Sequence, residues 1–272
     1  CNNEYIKCLI GKEKINRQVI SFKENVSSLN ITDYYFNVFK IREKLTSMIT
    51  DAKYDHLSSI TGRPIIKEGV NYLTLKKEKR SDIKIEKNSL LVEIDIKSCE
   101  PNFLNYVLYE NFSNDVYSQF GNKTNASRKD KKIGVISTLY GASKKNVMKR
   151  SNLLESDVDE IFDYFKVKLI TNSILEEYNT KGYFYNYYGR KLYSANSPLN
   201  YWLQSSAADY CHLAFFNFVN RFPCKIKAVI HDAVLIEISK EARKKLSKIK
   251  YVIDPLSKIK LPIEVSDITK YI

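Results

Sequence analysis

Two aspartates stand where apolar runs end, a placement that suits carboxylates holding a hard metal ion. Asp95 closes the run LLVEID at residues 90–95, which predicts a buried strand. Asp232 lies at the three-residue tip of KIKAVI-HDA-VLIEI, whose flanking β-branched runs predict a hairpin. Two such carboxylates can share one or two Mg²⁺ ions, and paired ions can stabilise the attacking and leaving oxygens of a phosphoryl transfer. Taken singly, Asp232 also suits a turn residue and Asp95 a helix N-cap.

A four-residue spacing links charged and aromatic residues in SRKDKKIGVISTLYG, residues 127–141. The residues in this series are Arg128, Lys132, Ile136 and Tyr140, followed by Gly141. A helix of about 3.6 residues per turn places such a series along one face. Arg128 could clamp two phosphate oxygens and Lys132 could act as a point charge, while Tyr140 offers a flat surface to a base. The alternative is an ordinary solvated Lys/Arg face, which explains less well why Tyr140 and Gly141 close the series.

The elements that must position these residues are helices and antiparallel strands. We predict helices over residues 31–51, 101–111, 128–140, 156–170 and 197–219. Ser156 with Asp159 resembles a capping box, and Ser197 with Pro198 forms an N-cap followed by a first-turn proline. Two short strands are predicted around Gly189 in GYFYNYYGRKLYS. The pattern indicates an α+β fold, with acids at the edges of an antiparallel sheet and helices around it.

The composition is that of a globular protein with a basic surface. The 272 residues are 44% hydrophobic, and 44 Lys and Arg against 31 Asp and Glu leave a net charge of +13. This charge favours a polyanionic partner, although a solvated lysine-rich surface explains it almost equally well. No apolar run approaches the roughly 20 residues that span a bilayer, so we expect no membrane partner. The cysteines form no CxxC pair and fit reduced thiols and a cytoplasmic location; they are Cys1, Cys8, Cys99, Cys211 and Cys224.

Taken in order, these segments resemble the motifs of the family A DNA polymerases and, more distantly, of the phage-type single-subunit RNA polymerases. The resemblance runs from about Tyr54 to about Ile238. EIDIKSCEPN resembles motif A. It implies that Asp95 and the Ile96 carbonyl bind metal and that Glu100 selects the sugar of the incoming nucleotide.

Two further motifs supply the rest of the implied catalytic site. VIHDAVLIEI resembles motif C, which implies that Asp232 is the second metal ligand and that His231 lies near the primer terminus. RKDKKIGVISTLYG resembles motif B, the fingers helix that closes over the nucleotide. Arg128 and Lys132 would then hold its phosphates, and Lys132 could also protonate the leaving pyrophosphate. The nucleotide-binding set implied by this motif and by Glu100 is Arg128, Lys132, Ile136, Tyr140, Gly141 and Glu100.

The resemblance also implies contacts to primer–template. YDHLSSITGR resembles the segment ahead of the palm whose final arginine, Arg63, contacts nucleic acid. NYWLQSSAAD is similar to the long palm helix, which directs Asn200 and Gln204 to the minor groove. Asn71, Arg190 and His231 complete the expected nucleic-acid-binding set.

The implied architecture is a right-hand polymerase palm, an antiparallel sheet with flanking helices, plus helical fingers and a reduced or missing thumb. The expected segments are a thumb-like or linker helical remnant at 1–53, the first part of the palm with motif A at 54–112, fingers with motif B at 113–180, and the second part of the palm with motif C at 181–272. A reduced thumb would hold duplex weakly. We therefore expect a processivity or replisome partner in its place.

The expected function is template-directed addition of dNTPs to a primer 3′-hydroxyl with two Mg²⁺ ions, for which Mn²⁺ could substitute. Ile136 replaces the usual aromatic of motif B, and Ala233 replaces the usual acid after the motif C aspartate. Both changes, unlike Glu100, lean toward a single-subunit RNA polymerase or a primase-like enzyme. A catalytically inactive, polymerase-like nucleic-acid-binding protein is the third reading. A DNA or an RNA template, and a viral or mobile-element origin, all stay open.

Overall fold

The computed structural model describes residues 31–122 and 125–268, and for residues 31–36 the backbone only. The expected segment 1–53 therefore falls mostly outside the described residues, as do Cys1 and Cys8. The described chain divides into two compact units. The first consists of residues 31–35 and 100–206, and the second of residues 36–99 and 207–268. The expected four-segment division of the palm and fingers stays a prediction.

The second unit is built on a five-stranded antiparallel sheet of order β6-β7-β3-β9-β8. Its strands are β3 (Ser89–Ile96), β6 (Lys225–Ile230), β7 (Ala233–Ser239), β8 (Tyr251–Ile253) and β9 (Lys260–Asp267). A separate pair, β1 (Ala52–Asp55) and β2 (Ile65–Gly69), is also antiparallel. Helices α1 (Ile31–Ser47, mostly within this unit) and α8 (Lys240–Leu246), with a 3-10 helix at Lys77–Asp82, complete it.

The core of this unit lies on both faces of the central strands. On β3, Leu91, Val92, Ile94 and Ile96 are all fully buried, and β7 is buried from Ala233 to Ile238. Continuous apolar runs are typical of strands covered on both faces, which is why LLVEID and VLIEI do not alternate with polar residues. The expected strand at 90–95 is confirmed, and it extends by one residue at each end.

The first unit is mainly helical. It contains α2 (Cys99–Tyr109, from Glu100 onward), α3 (Arg128–Leu139), α4 (Lys144–Ser151), α5 (Glu155–Tyr164) and α6 (Val167–Lys181). The two-stranded hairpin of β4 (Phe184–Tyr185) and β5 (Lys191–Leu192) follows, as expected around Gly189. Helix α7 (Pro198–Val219) begins at the expected proline, and its residues up to Ser206 belong to this unit.

Two local expectations are wrong. The helix predicted over 156–170 is two helices, because Lys166 takes a left-handed conformation with φ +51 between α5 and α6. Its N-cap is Leu154 rather than Ser156, and no side chain caps the helix. The hairpin tip has two residues rather than three, since Ile230 pairs with Ala233 and only His231 and Asp232 remain unpaired.

The described cysteines are free thiols. Cys99 and Cys211 are buried with their sulfurs 3.5 Å apart, and Cys224 is half-buried. Among the helices of residues 31–122 and 125–268, none has the length and apolar character needed to cross a bilayer.

Candidate active site

Strand pairing in the second unit brings Asp95 and Asp232 together. Asp95 lies on β3 and pairs with Ala233, the first residue of β7. Asp232 immediately precedes Ala233 in the hairpin tip, so it lies next to Asp95. The Ile96 N–H donates to the Asp232 carbonyl over 3.0 Å, which fixes the tip backbone beside the end of β3. The two carboxylates expected to act together are therefore carried by one rigid ladder.

The surroundings of Asp95 disfavour the ionised form of its carboxyl group. Burial, followed by the negative charges of Asp232, Glu93 and Glu264, raises its pKa to about 7, against the opposing effect of Lys77. Glu264 is the direct partner of Asp95 on β9 and is exposed. Because a bound divalent cation would favour the ionised carboxylate, the site would gain more from a cation than an ordinary surface pair.

The carboxylate pair is suited to a hard cation, although it provides few ligands. In the part of the chain that the structure describes, no three His, Cys, Asp or Glu side chains are grouped so as to hold a metal ion. The chain could offer Asp95, Asp232 and the Ile96 carbonyl, all oxygen ligands of the kind that Mg²⁺ prefers. Magnesium usually keeps several waters and takes only one or two carboxylates, so this donor set is sufficient in type.

His231 occupies the first position of the tip with φ +52, in the left-handed region. Partial loss of hydration and the positive charge of Arg63 lower its imidazole pKa, while Asp232 raises it. Arg63 follows Gly62, whose carbonyl accepts a hydrogen bond from the buried Arg42 side chain. Two residues expected to meet nucleic acid, Arg63 and His231, are thus electrostatic neighbours in this unit.

The cationic series of the first unit lies on α3 as expected. Ser127 caps the helix by accepting a hydrogen bond from the Asp130 N–H over 3.2 Å. Arg128 and Lys132 are exposed and Ile136 is half-buried. The opposite side of the helix is buried through Gly134, Val135, Thr138 and Leu139. Packing of that side leaves the two cations on the open face.

Two residues that the sequence did not indicate hold these cations. Arg128 Nε donates to Asp115 Oδ2 over 2.7 Å, and this carboxylate raises the guanidinium pKa. The ring of Tyr117 lies 5.5 Å from the Arg128 guanidinium and 5.9 Å from Lys132 Nζ. An anion that binds Arg128 would therefore either replace Asp115 or share the guanidinium group with it. The segment SNDVYSQF carries no spacing that would single out Asp115 or Tyr117.

Tyr140 is the C-cap residue of α3, and its side chain contacts Glu100. Its hydroxyl donates to Glu100 Oε2 over 2.8 Å, and Glu100 is buried with 8% exposure. Gly141 follows with φ +83, a conformation that strains residues with a side chain. The structure therefore brings together three of the expected nucleotide-binding residues of the first unit, Glu100, Tyr140 and Gly141.

The remaining expected nucleic-acid contacts differ in exposure. Asn200 and Gln204 are half-buried, one helical turn apart on α7, and no donor among the described residues reaches the buried Asn200 Oδ1. Asn71 is exposed in a turn after β2. Arg190 is buried, with 6% exposure, in the turn between β4 and β5, where its N–H donates to Asn186 Oδ1 over 2.8 Å. The Asn200 Oδ1 acceptor is thus buried, and the Arg190 main-chain N–H is used within the local turn.

Comparisons with known proteins show a similarity of fold to a solved structure. No family model matches this sequence, and no curated protein matches it significantly. Among solved structures, the chain is similar to the polymerase domain of Pol1 from M. smegmatis in complex with DNA primer–template and dNTP, with a TM-score of 0.58 and 15% sequence identity. The match covers 82% of this chain and 49% of that chain, so this chain spans about half the length of its structural neighbour. The chain therefore has an α+β fold similar to that of a bacterial Pol I polymerase domain.

Proposed function

We propose that the protein is a template-directed DNA polymerase of the family A type. It adds dNTPs to a primer 3′-hydroxyl by nucleotidyl transfer. In this proposal, Asp95 and Asp232 of the second unit hold the catalytic metal ions, with the Ile96 carbonyl as a further ligand. Arg128 and Lys132 of the first unit bind the triphosphate.

One observation carries the proposal: Asp95 lies on β3, and Asp232 directly precedes β7, the strand that pairs with β3. Charge repulsion and burial raise the pKa of Asp95 to about 7. A sheet does not need two adjacent carboxylates for stability, and this pair costs folding free energy when ionised. Perturbed carboxylates of this kind are more frequent at functional sites than elsewhere. The similarity of the fold to a polymerase domain supports the same interpretation.

The proposed chemistry is an in-line displacement. The primer 3′-hydroxyl loses its proton to water, its oxygen attacks the α-phosphorus of the dNTP, and the bond from that phosphorus to the bridging oxygen of pyrophosphate breaks. When bound, Mg²⁺ or Mn²⁺ would lower the charge repulsion between the reacting oxygens. Arg128 would orient the triphosphate through paired hydrogen bonds, while Lys132 would neutralise it and donate a proton to pyrophosphate as it leaves.

Sugar selection would rest on Glu100 and Tyr140. The hydrogen bond of 2.8 Å between them holds the Glu100 carboxylate in one place, and its burial limits its freedom to move aside. A side chain fixed in this way would collide with a ribose 2′-hydroxyl. Ile136 and Gly141 would complete the nucleotide site, as an apolar contact and a turn.

The proposed contacts to primer–template come from both units. Arg63, Asn71 and His231 belong to the second unit, and Arg190, Asn200 and Gln204 to the first. A processivity or replisome partner would supply the duplex grip of a full thumb. Strong dependence of binding on salt is expected, because such contacts are largely to phosphate.

A single-subunit RNA polymerase is the second candidate, favoured by Ile136 and Ala233. The fixed Glu100 carboxylate argues against it, since this group would exclude the substrate sugar. The third candidate, an inactive nucleic-acid-binding protein, does not account for the buried Asp95 with its raised pKa.

Primer extension separates these three. The purified chain is incubated with Mg²⁺ and a primed DNA template, and with a primed RNA template in parallel, using dNTPs in one arm and rNTPs in another. The proposal predicts extension with dNTPs and little with rNTPs. Extension with rNTPs alone would identify the RNA polymerase candidate. Binding of primer–template without any extension would favour the inactive candidate or a missing partner in place of the thumb.

A further inference from the structure

The outer face of the β4–β5 hairpin carries a cluster of tyrosines and lysines, which we call the tyrosine face. It consists of Tyr183, Tyr185, Lys191 and Tyr193, with Lys181 at its margin. Successive residues of a strand point to opposite faces, and here Phe184 and Leu192 are buried while their neighbours reach the surface. Phe184 and Leu192 pack with Ile174 in an apolar cluster, which anchors the hairpin from its inner side.

The aromatic rings of this face form a connected surface. The Tyr183 ring lies 5.3 Å from that of Tyr185 and 6.0 Å from that of Tyr193, measured between centroids. Lys191 Nζ lies 4.6 Å from the centroid of Tyr183, and Lys181 Nζ lies 5.7 Å from that of Tyr185. Tyr193 is 68% exposed, an unusual position for so large a ring. Cross-strand aromatic pairs stabilise a short hairpin, but that role does not require an exposed third ring with cations around it.

The charges of the face suit a polyanion. Lys181 donates to Glu177 over 2.8 Å, so its charge is partly used within α6. Lys191 forms no ion pair with a carboxylate in the described part of the chain, and its charge is available to a ligand.

We propose that the tyrosine face binds single-stranded nucleic acid, with bases stacking on Tyr193 and Tyr183 and phosphates lying near Lys191. Flat rings beside cations are how proteins bind single strands without sequence preference, because every base has a π-face. The inference deepens the proposed function: the single strand would be template not yet copied. The site itself consists only of residues of the first unit and does not depend on catalysis.

The experiment measures binding of fluorescein-labelled single strands, one DNA and one RNA, by anisotropy without nucleotides or metal. A length of about 20 nucleotides exceeds the roughly 4–16 that a single OB-fold covers, and is therefore long enough for a face of this size. Tyr193→Leu should weaken binding by about 5- to 150-fold, the loss expected for one stacked base, and should leave the salt dependence unchanged. Lys191→Gln should lower the slope of log affinity against log salt by about 0.7, the value for one phosphate contact on a single strand.

A second Lys–Tyr pair provides matched controls. Lys260 Nζ lies 5.5 Å from the Tyr251 ring on β8 and β9, and Tyr251 is 43% exposed. No other ring contact extends this pair among the described residues. Tyr251→Leu and Lys260→Gln remove the same groups and the same charge, and they should change neither affinity nor salt slope. Circular dichroism of all four variants checks that the hairpin and sheet remain folded.

The outcomes separate this inference from the proposed function. Loss of binding in the face variants but not in the controls supports the site, even if the chain extends no primer. Equal effects in both sets would overturn it, because charge alone would then explain binding. Primer extension by a chain that binds no single strand would also overturn it, while the proposed function would stand.

Discussion

The buried ion pair between Arg42 and Asp209 leads to the sharpest stability prediction. Both side chains are 0% exposed, and the second unit contains both. Arg42 also donates to the Gly62 carbonyl and lies 3.3 Å from His56 Nδ1. Removing one member leaves a charge buried without its counterion, which costs about 3–5 kcal/mol. At about 2 °C per kcal/mol for a chain of this size, Arg42→Met or Asp209→Leu should lower the unfolding midpoint by roughly 6–10 °C.

The double variant decides whether the pairing itself is responsible. Arg42→Met with Asp209→Leu leaves no unpaired charge, so its loss should be well below the sum of the two single losses. Thermal unfolding followed by circular dichroism measures the midpoints of all three variants. Lys144→Met, which removes an exposed ion pair with Asp159, should leave the midpoint unchanged. Strictly additive losses in the double variant would refute the reasoning.

Three further predictions concern the carboxylates and one glycine. Because the pKa of Asp95 is raised from 3.8 to about 7, its ionisation destabilises the metal-free fold; stability in urea should fall as pH rises through that interval, and Asp95→Asn should remove the fall. Glu100→Ala should raise the kcat/KM for rNTPs relative to dNTPs, and an unchanged ratio would exclude Glu100 as the sugar gate. Gly69→Ala should destabilise the protein far more than Gly182→Ala; both glycines have positive φ, but only at Gly69 would the Cβ lie 2.2 Å from a backbone oxygen, that of Asp51. Comparable urea midpoints for the two alanine variants would contradict that steric argument.

Local pattern was sufficient where one segment carries its own signal. The strand before Asp95 and the helix from Arg128 form as predicted, and the hairpin around Asp232 differs only in its shorter tip, because burial and local periodicity act within a few residues. The long helix from Pro198 belongs to the same group. These segments carry most of the residues expected to act in catalysis.

Contacts between distant segments could not be predicted. The pairing of Asp95 with Glu264 depends on β9, a strand about 170 residues later whose register no local pattern specifies. The ion pair of Arg128 with Asp115 likewise joins α3 to an irregular segment. The break at Lys166 requires a lysine in the left-handed conformation, which residues other than glycine rarely adopt. Such features follow from the assembled fold and not from neighbouring residues.

The central claim is that Asp95 and Asp232 form the catalytic metal site, and single-nucleotide incorporation tests it most directly. Wild type, Asp95→Asn and Asp232→Asn are compared with Asp159→Asn, which alters an exposed aspartate on α5. With saturating primer–template, dNTP and Mg²⁺, each of the first two variants should lose about 10³-fold or more in rate, since metal binding is worth several kcal/mol in the transition state. The Asp159 variant should match wild type. Incorporation at the wild-type rate by either site variant would contradict the account.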